Sequence, residues 1–162
     1  MPPSKRPEST DTITNIIKEA SNRNQGSGIR DQVRHQKGAL MKSYRDLKVW
    51  QKAMDLVVEC YEETKEFPKS ETFGLTSQLR RAGVSVPANI AEGHARHYTA
   101  EYLRHLSIAY ASLAELETHI LIAQRLNYLD NSKSNTLLDI TSEIGRMING
   151  LRRSLMKKKN EA

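Results

Sequence analysis

The sequence predicts an all-α protein, an antiparallel up-and-down four-helix bundle with a kinked second helix, preceded by a disordered N-terminal arm. Three observations predict it. Beyond Met41, apolar residues recur three and four apart, the spacing of helices that each bury a face. No run alternates as a strand would, and aromatic residues make up only 6% of a chain that is 38% hydrophobic. Short polar stretches divide the pattern into four segments, and short loops favour antiparallel neighbours.

Residues 1–43 are rich in Pro, Ser, Thr, Asn, Gln and Gly, with one apolar cluster at Ile13, Ile16 and Ile17, so they read as a mostly disordered arm. Thr10 or Asp11 can cap one or two helical turns there, with too little apolar area to hold them unaided. Composition changes abruptly at Met41, a candidate translation start; the first forty residues are then a true extension or an upstream addition. The bundle is expected over residues 44–157 and a basic tail over 158–162.

The first helix is expected from about Asp46 to Glu66, with Leu47, Trp50, Met54, Val57 and Tyr61 as its apolar face. Phe67-Pro68 ends it, because the residue before proline is pushed out of the α region. Ser70 is the expected cap of the second helix, with Glu71 at the positive end of its dipole, and Gly93 marks its end. Pro87 lacks a donor for the helix interior, so a kink or break is expected there. Thr99 caps a third helix, expected to be the longest, whose buried face is Leu103, Leu106, Tyr110, Leu113, Leu116, Ile120 and Ala123. After a polar turn from Asn127 to Lys133, a fourth helix presents Leu137, Ile140, Ile144, Met147, Leu151 and Leu155.

The second helix is apolar on two sides. Leu75, Leu79, Ala82, Val86 and Ile90 form one face, and Val84, Ala88 and Ala91 form another. Between them runs a polar stripe of Gln78, Arg81, Ser85, Asn89 and Glu92, in which Arg81 and Glu92 point in nearly the same direction at about 100° per residue. A polar seam between two apolar faces suggests a subunit contact. Arg81 reads as an interior partner for Glu92, Glu115 or Glu117, since a buried charge must be paired. Arg80 points elsewhere and reads as exposed, a candidate phosphate contact.

At 162 residues the chain suits one domain. Its uninterrupted apolar runs are a few residues long, far below the roughly 20 that span a bilayer, and its start lacks a signal peptide's hydrophobic region. The expectation is a cytoplasmic protein with no membrane contact. Cys60 is the single cysteine, which excludes an internal disulfide framework and reads as a free core or interface thiol. Paired Glu-x-x-His motifs of di-iron bundles are missing; Glu115 with His119, and His94 with His97 near Glu92, are the nearest approach to a metal site, and neither supplies three ligands. No phosphate loop, nucleophile elbow or Cys-His pairing appears, so neither catalysis nor a cofactor is indicated.

Net charge is +6, and its excess lies at the two ends of the chain. Up to Leu40 there are seven Lys or Arg against four Asp or Glu, and from Arg152 onward five against one. Arg152, Arg153, Lys157, Lys158 and Lys159 are the plainest nucleic-acid candidates, competing with a solvated basic tail. The tail has no interleaved aromatic residue, so binding by it should be salt-sensitive and poorly selective. Arg80, Arg81, Arg96, Arg104 and Arg125 form a second possible phosphate-binding set.

Three ordered motifs, YRDLKVWQKA at 44–53, FPKSETFGLTSQLRRAGVSVPANIAEG at 67–93 and LSIAYASLAELETHILIAQRLNYL at 106–129, together resemble the four-helix-bundle proteins encoded in intervening sequences of bacterial 23S ribosomal RNA genes. The likeness covers about Tyr44 to Leu155. It implies an up-and-down bundle that assembles as a pentameric ring, with no enzymatic activity to carry over. A related branch, accessory proteins of diversity-generating retroelements, implies a reverse transcriptase and nucleic acid as partners. The matching positions Trp50, Gln78, Arg81, Pro87, Asn89, Glu92, Glu115 and Glu117 then read as structural or interfacial. His94 to Tyr98 and the long arm depart from the family pattern. Two functions follow as expectations: a homo-oligomeric scaffold that binds RNA or DNA by charge, or a protein-interaction module such as a reverse-transcriptase accessory subunit that touches no nucleic acid.

Overall fold

The computed structural model describes residues 43–161; the expectations for the arm lie outside them. Among the described residues there are four α-helices and no strand: α1 (Lys48–Glu63), α2 (Leu75–His94), α3 (Thr99–Arg125) and α4 (Asn131–Asn160). Short 3-10 turns at Tyr44–Asp46, Thr64–Glu66 and Lys69–Glu71 flank α1 and lead into α2. Leu56, Leu79, Ile90, Leu106, Leu116, Ile120, Leu137, Ile144 and Ile148 fill the core.

Cross-helix contacts fix an antiparallel order. Along α1 and α4, Lys52 pairs with Glu143, and Glu63 with Lys133. Between α2 and α3, Ser85 meets Ser112 at 2.9 Å and Asn89 meets His105 at 3.2 Å. Gly145 of α4 faces Tyr110 and Leu113 of α3, and Gly83 of α2 faces Cys60 of α1. The start of α1, the α2–α3 turn and the end of α4 therefore share one end of the bundle.

Several element boundaries differ from the sequence expectation. Ser70 falls in a 3-10 turn, and α2 is capped instead by Gly74, with Glu71 Oε2 accepting the Leu75 amide at 2.8 Å. Tyr98 rather than Thr99 is the N-cap of α3. Gly93 lies buried within α2, which runs on to His94, because a methyl carbon there would stand 2.7 Å from the Tyr102 ring and 2.8 Å from His105 Cβ. The glycine allows close helix approach instead of ending a helix. Helix α2 continues through Pro87, whose missing donor does not break it. The longest helix is α4, at 30 residues against 27 for α3, and it includes Lys157, Lys158 and Lys159.

The buried faces are also rotated in part. On α1 the core takes Val49, Ala53, Leu56 and Cys60, leaving Met54 and Tyr61 exposed and Trp50 and Val57 half-buried. Apolar residues are numerous enough on α1 that spacing alone does not select the inner row. On α3, Tyr110 is exposed and Ala109 takes the inner position. Among the described residues one helix, α3, is long and apolar enough by length and composition to cross a membrane, a property that its short uninterrupted apolar runs do not reveal. Its apolarity has a use within the bundle, where Leu106, Leu113, Leu116 and Ile120 are buried.

Candidate nucleic-acid interface

Charge is segregated along the bundle axis. Residues 43–52, 92–105 and 149–161, which share one end, carry ten Lys or Arg against four Asp or Glu; residues 59–75 and 123–135, at the other, carry four against six. At the basic end Arg45, Lys48, Arg104, Arg153, Lys158 and Lys159 are exposed and pair with no carboxylate among the described residues. Lys157 lies 3.9 Å from Glu161, and Arg152 is half-buried, donating to Asn149 Oδ1 at 3.3 Å. The α4 lysines suit the negative end of that helix dipole, but Arg45 and Lys48 lie at the positive end of α1, where a cation is disfavoured. Arg45 lies over the Tyr44 ring, but fold stability does not account for the charge of Lys48.

Aromatic rings gather under the same end. Tyr44 contacts Trp50 edge-on at 5.2 Å between centroids, His94 lies between Tyr44 and Tyr102, and Arg45 sits 5.6 Å over the Tyr44 ring. Burial pushes the Tyr102 hydroxyl up to about 12. At the turn, Tyr98 is 72% exposed. Sequence reasoning passed over Tyr98, Arg45 and Lys48 because it weighed the tail as a linear segment; the up-and-down topology was the signal that brings them to the same end.

The second phosphate-binding set does not come together. Arg96 and Arg104 are at the basic end, Arg125 is at the other, and Arg80 and Arg81 lie midway on α2. The expected roles of that last pair are reversed. Arg80 is half-buried, with its Nε donating to Thr64 Oγ1 at 2.8 Å and its guanidinium 4.6 Å over the Tyr61 ring, so its charge is engaged within the chain. Arg81 is exposed and makes no ion pair with Glu92, Glu115 or Glu117. Glu92 pairs with Arg96, its neighbour one turn on, and lies 3.7 Å from His105 Nε2. Glu115 lies 3.6 Å from His119, and Glu117 lines a shallow depression between α3 and α4.

Of the other stripe residues, Gln78 is exposed, Pro87 is buried, and Asn89 bridges helices, donating to Ser85 while its Oδ1 faces His105. The second apolar face of α2 is open, with Val84 and Ala88 exposed. Val84 borders a groove of about 510 Å³ together with Tyr61, Phe73, Thr76 and Arg81. Cys60 is buried, and desolvation, helped by Glu59, pushes its thiol up to about 12, which makes it a poor nucleophile. No group of three His, Cys, Asp or Glu side chains converges among the described residues.

A solved structure with this fold is that of a protein of unknown function from the S23 ribosomal protein family of Bacteroides thetaiotaomicron VPI-5482; it is 21% identical, with a TM-score of 0.59, over 64% of this chain and 97% of that one. No curated protein matches the chain. The family model for the 23S rRNA-intervening sequence protein matches residues 45–150, which takes in all of α1 to α3 and most of α4. By that match the chain belongs to the 23S rRNA-intervening sequence protein family.

Proposed function

We propose that this chain is a non-enzymatic, homo-oligomeric helical scaffold that binds RNA or DNA through the basic end of its bundle. The observation that carries it is the axial segregation of charge, with Lys48 unpaired where the helix dipole opposes it. Oligomerisation is supported by the apolar side chains left outside the core, among them Val58 at 57% and Phe73 at 94% exposure, with Met54, Tyr61 and Val84 beside them on α1 and α2. A pentameric ring, the assembly that the family resemblance implies, would repeat one basic end five times and turn a weak contact into a strong one.

The test is binding of the full chain to structured RNA and duplex DNA across a salt series, with mass in solution recorded on the same samples. Submicromolar binding that falls steeply with salt, from an oligomer, is expected. Changing Arg152, Arg153, Lys157, Lys158 and Lys159 together to Gln should weaken it about a hundredfold and flatten the salt slope, by about 0.7 to 0.9 for each phosphate no longer neutralised. Unchanged affinity would refute the assignment. The groove beside Phe73 and Val84 favours a second reading, a protein partner such as a reverse transcriptase without direct nucleic-acid contact. Absence of binding at low salt would leave that one standing.

A further inference from the structure

Four rings at the basic end, Tyr44, Trp50, His94 and Tyr102, are held by edge contacts with one another, while Tyr98 has no ring partner among the described residues. Its side chain makes no capping hydrogen bond to α3, so neither packing nor capping explains an exposed aromatic at this turn. It stands at the basic end of the bundle, with the exposed carboxylate of Glu101 one turn on along α3. Starting from the contact of Tyr110 with Gly145, Tyr98 and Lys157 lie equally far along antiparallel α3 and α4, roughly twelve residues or about 18 Å at the helical rise per residue. They therefore lie at about the same level along the bundle axis. Arg104 is exposed on α3 within two turns of Tyr98.

We infer that the basic end binds single-stranded nucleic acid, with an unpaired base stacked on the Tyr98 ring and neighbouring phosphates held by Arg104 and the Lys157–Lys159 turn. This rests on the charge-driven binding proposed above and names its ligand class. A flat, exposed ring at an end where cations outnumber acids pairs a stacking platform with electrostatic attraction, the combination that suits single strands. In a duplex the bases already stack on one another, so a surface ring gains only phosphate proximity. The tail alone has no such platform; the α2–α3 turn supplies it.

The experiment compares the full-length wild type with Tyr98→Ala and Tyr98→Trp, using fluorescein-labelled uridine and thymidine 20-mers and a 20-base-pair DNA duplex. Tyr98→Ala should weaken single-strand binding about tenfold or more, the effect of losing one stacked base, and change duplex binding less than about twofold. Tyr98→Trp should hold or improve it, and solution mass should be the same in all three. Loss with only one 20-mer identifies whether RNA or DNA is preferred. A 5-iodouridine crosslink mapped to Tyr98 would support the stacked base independently of affinity. Equal losses on single strand and duplex, no loss at all, or a changed mass would overturn the inference, the last by assigning Tyr98 to a contact between copies. Binding of both forms by the wild type with Tyr98→Ala silent removes stacking and leaves the charge reading; binding of neither form removes both.

Discussion

At one end of the bundle the chain turns through Ala95 to Tyr98 and finishes α4 in three lysines; at the other it turns through Thr64 to Gly74 and Leu126 to Asp130 among carboxylates. Three acids of the second end are committed to structure. Glu71 takes the Leu75 amide, Asp130 takes the Lys133 amide at 2.8 Å, and Glu63 lies 2.7 Å from Lys133 Nζ, holding that ammonium above its ordinary range chiefly by a side-chain hydrogen bond. At the first end most cations have no such employment. The difference teaches that charge balance alone is a poor guide to function; charge that satisfies no local need is the better one.

The largest expected effect tests that asymmetry directly. Lys65, Lys69 and Arg125 changed together to Gln at the acidic end should alter nucleic-acid affinity by less than about twofold, against about a hundredfold for the five-residue change at the basic end. Titration of both variants beside wild type at one salt concentration decides it, and similar losses would show that position does not matter. Next is Gly93→Ala, which forces a methyl carbon against Tyr102 and His105 directly below the basic turn. Overpacking of this kind costs about 1–3 kcal/mol, so thermal or denaturant unfolding should shift clearly downward. Stability equal to wild type would mean that α2 and α3 are free to separate there.

The fold was legible because helical spacing, the proline at Pro68 and the polar breaks are local signals, and four of them in order leave little choice of architecture. Rotational detail was less legible. The outward residues Met54, Tyr61 and Val84 are as apolar as inward ones, so pattern reading on α1 and α2 cannot tell core from open face. Roles within the polar stripe depended on partners from other helices. Thr64 and Tyr61, which engage Arg80, lie across the α1–α2 connection, and Arg96, which takes Glu92, competes with Arg81 by being one helical turn away. The five basic tail residues were visible in sequence, but their companions Arg45, Lys48 and Tyr98 join them only when the helices fold back on one another.

At the acidic end Glu71 is the residue to change. Removing the carboxylate that receives the Leu75 amide, as Glu71→Ala, should cost about 1 kcal/mol, in the range of other lost caps, while Glu71→Gln keeps an acceptor and should recover most of it. Denaturant midpoints of the two variants separate capping from a general effect of charge. Equal losses would assign the stabilisation to the negative charge near the positive end of α2, and no loss in either would show that water serves the amide as well.

The smallest expected effect lies between the ends and has the opposite sign. Gly83 is buried on α2 with no positive φ, and a methyl carbon there would meet Cys60 Sγ at 3.7 Å and Cys60 Cβ at 3.9 Å, ordinary contact distances. Gly83→Ala should therefore stabilise the bundle by about 0.4–1 kcal/mol, because the alanine restricts the unfolded chain and requires nothing to move in the folded one. Melting should rise slightly, and alkylation of Cys60 at pH 8, already slow for a buried thiol pushed up to about 12, should slow further. Destabilisation would mean that α1 and α2 close more tightly than these distances allow. Gly83 and Gly93 are both buried glycines of one helix, and the opposite signs expected for the same substitution follow only from what each would touch.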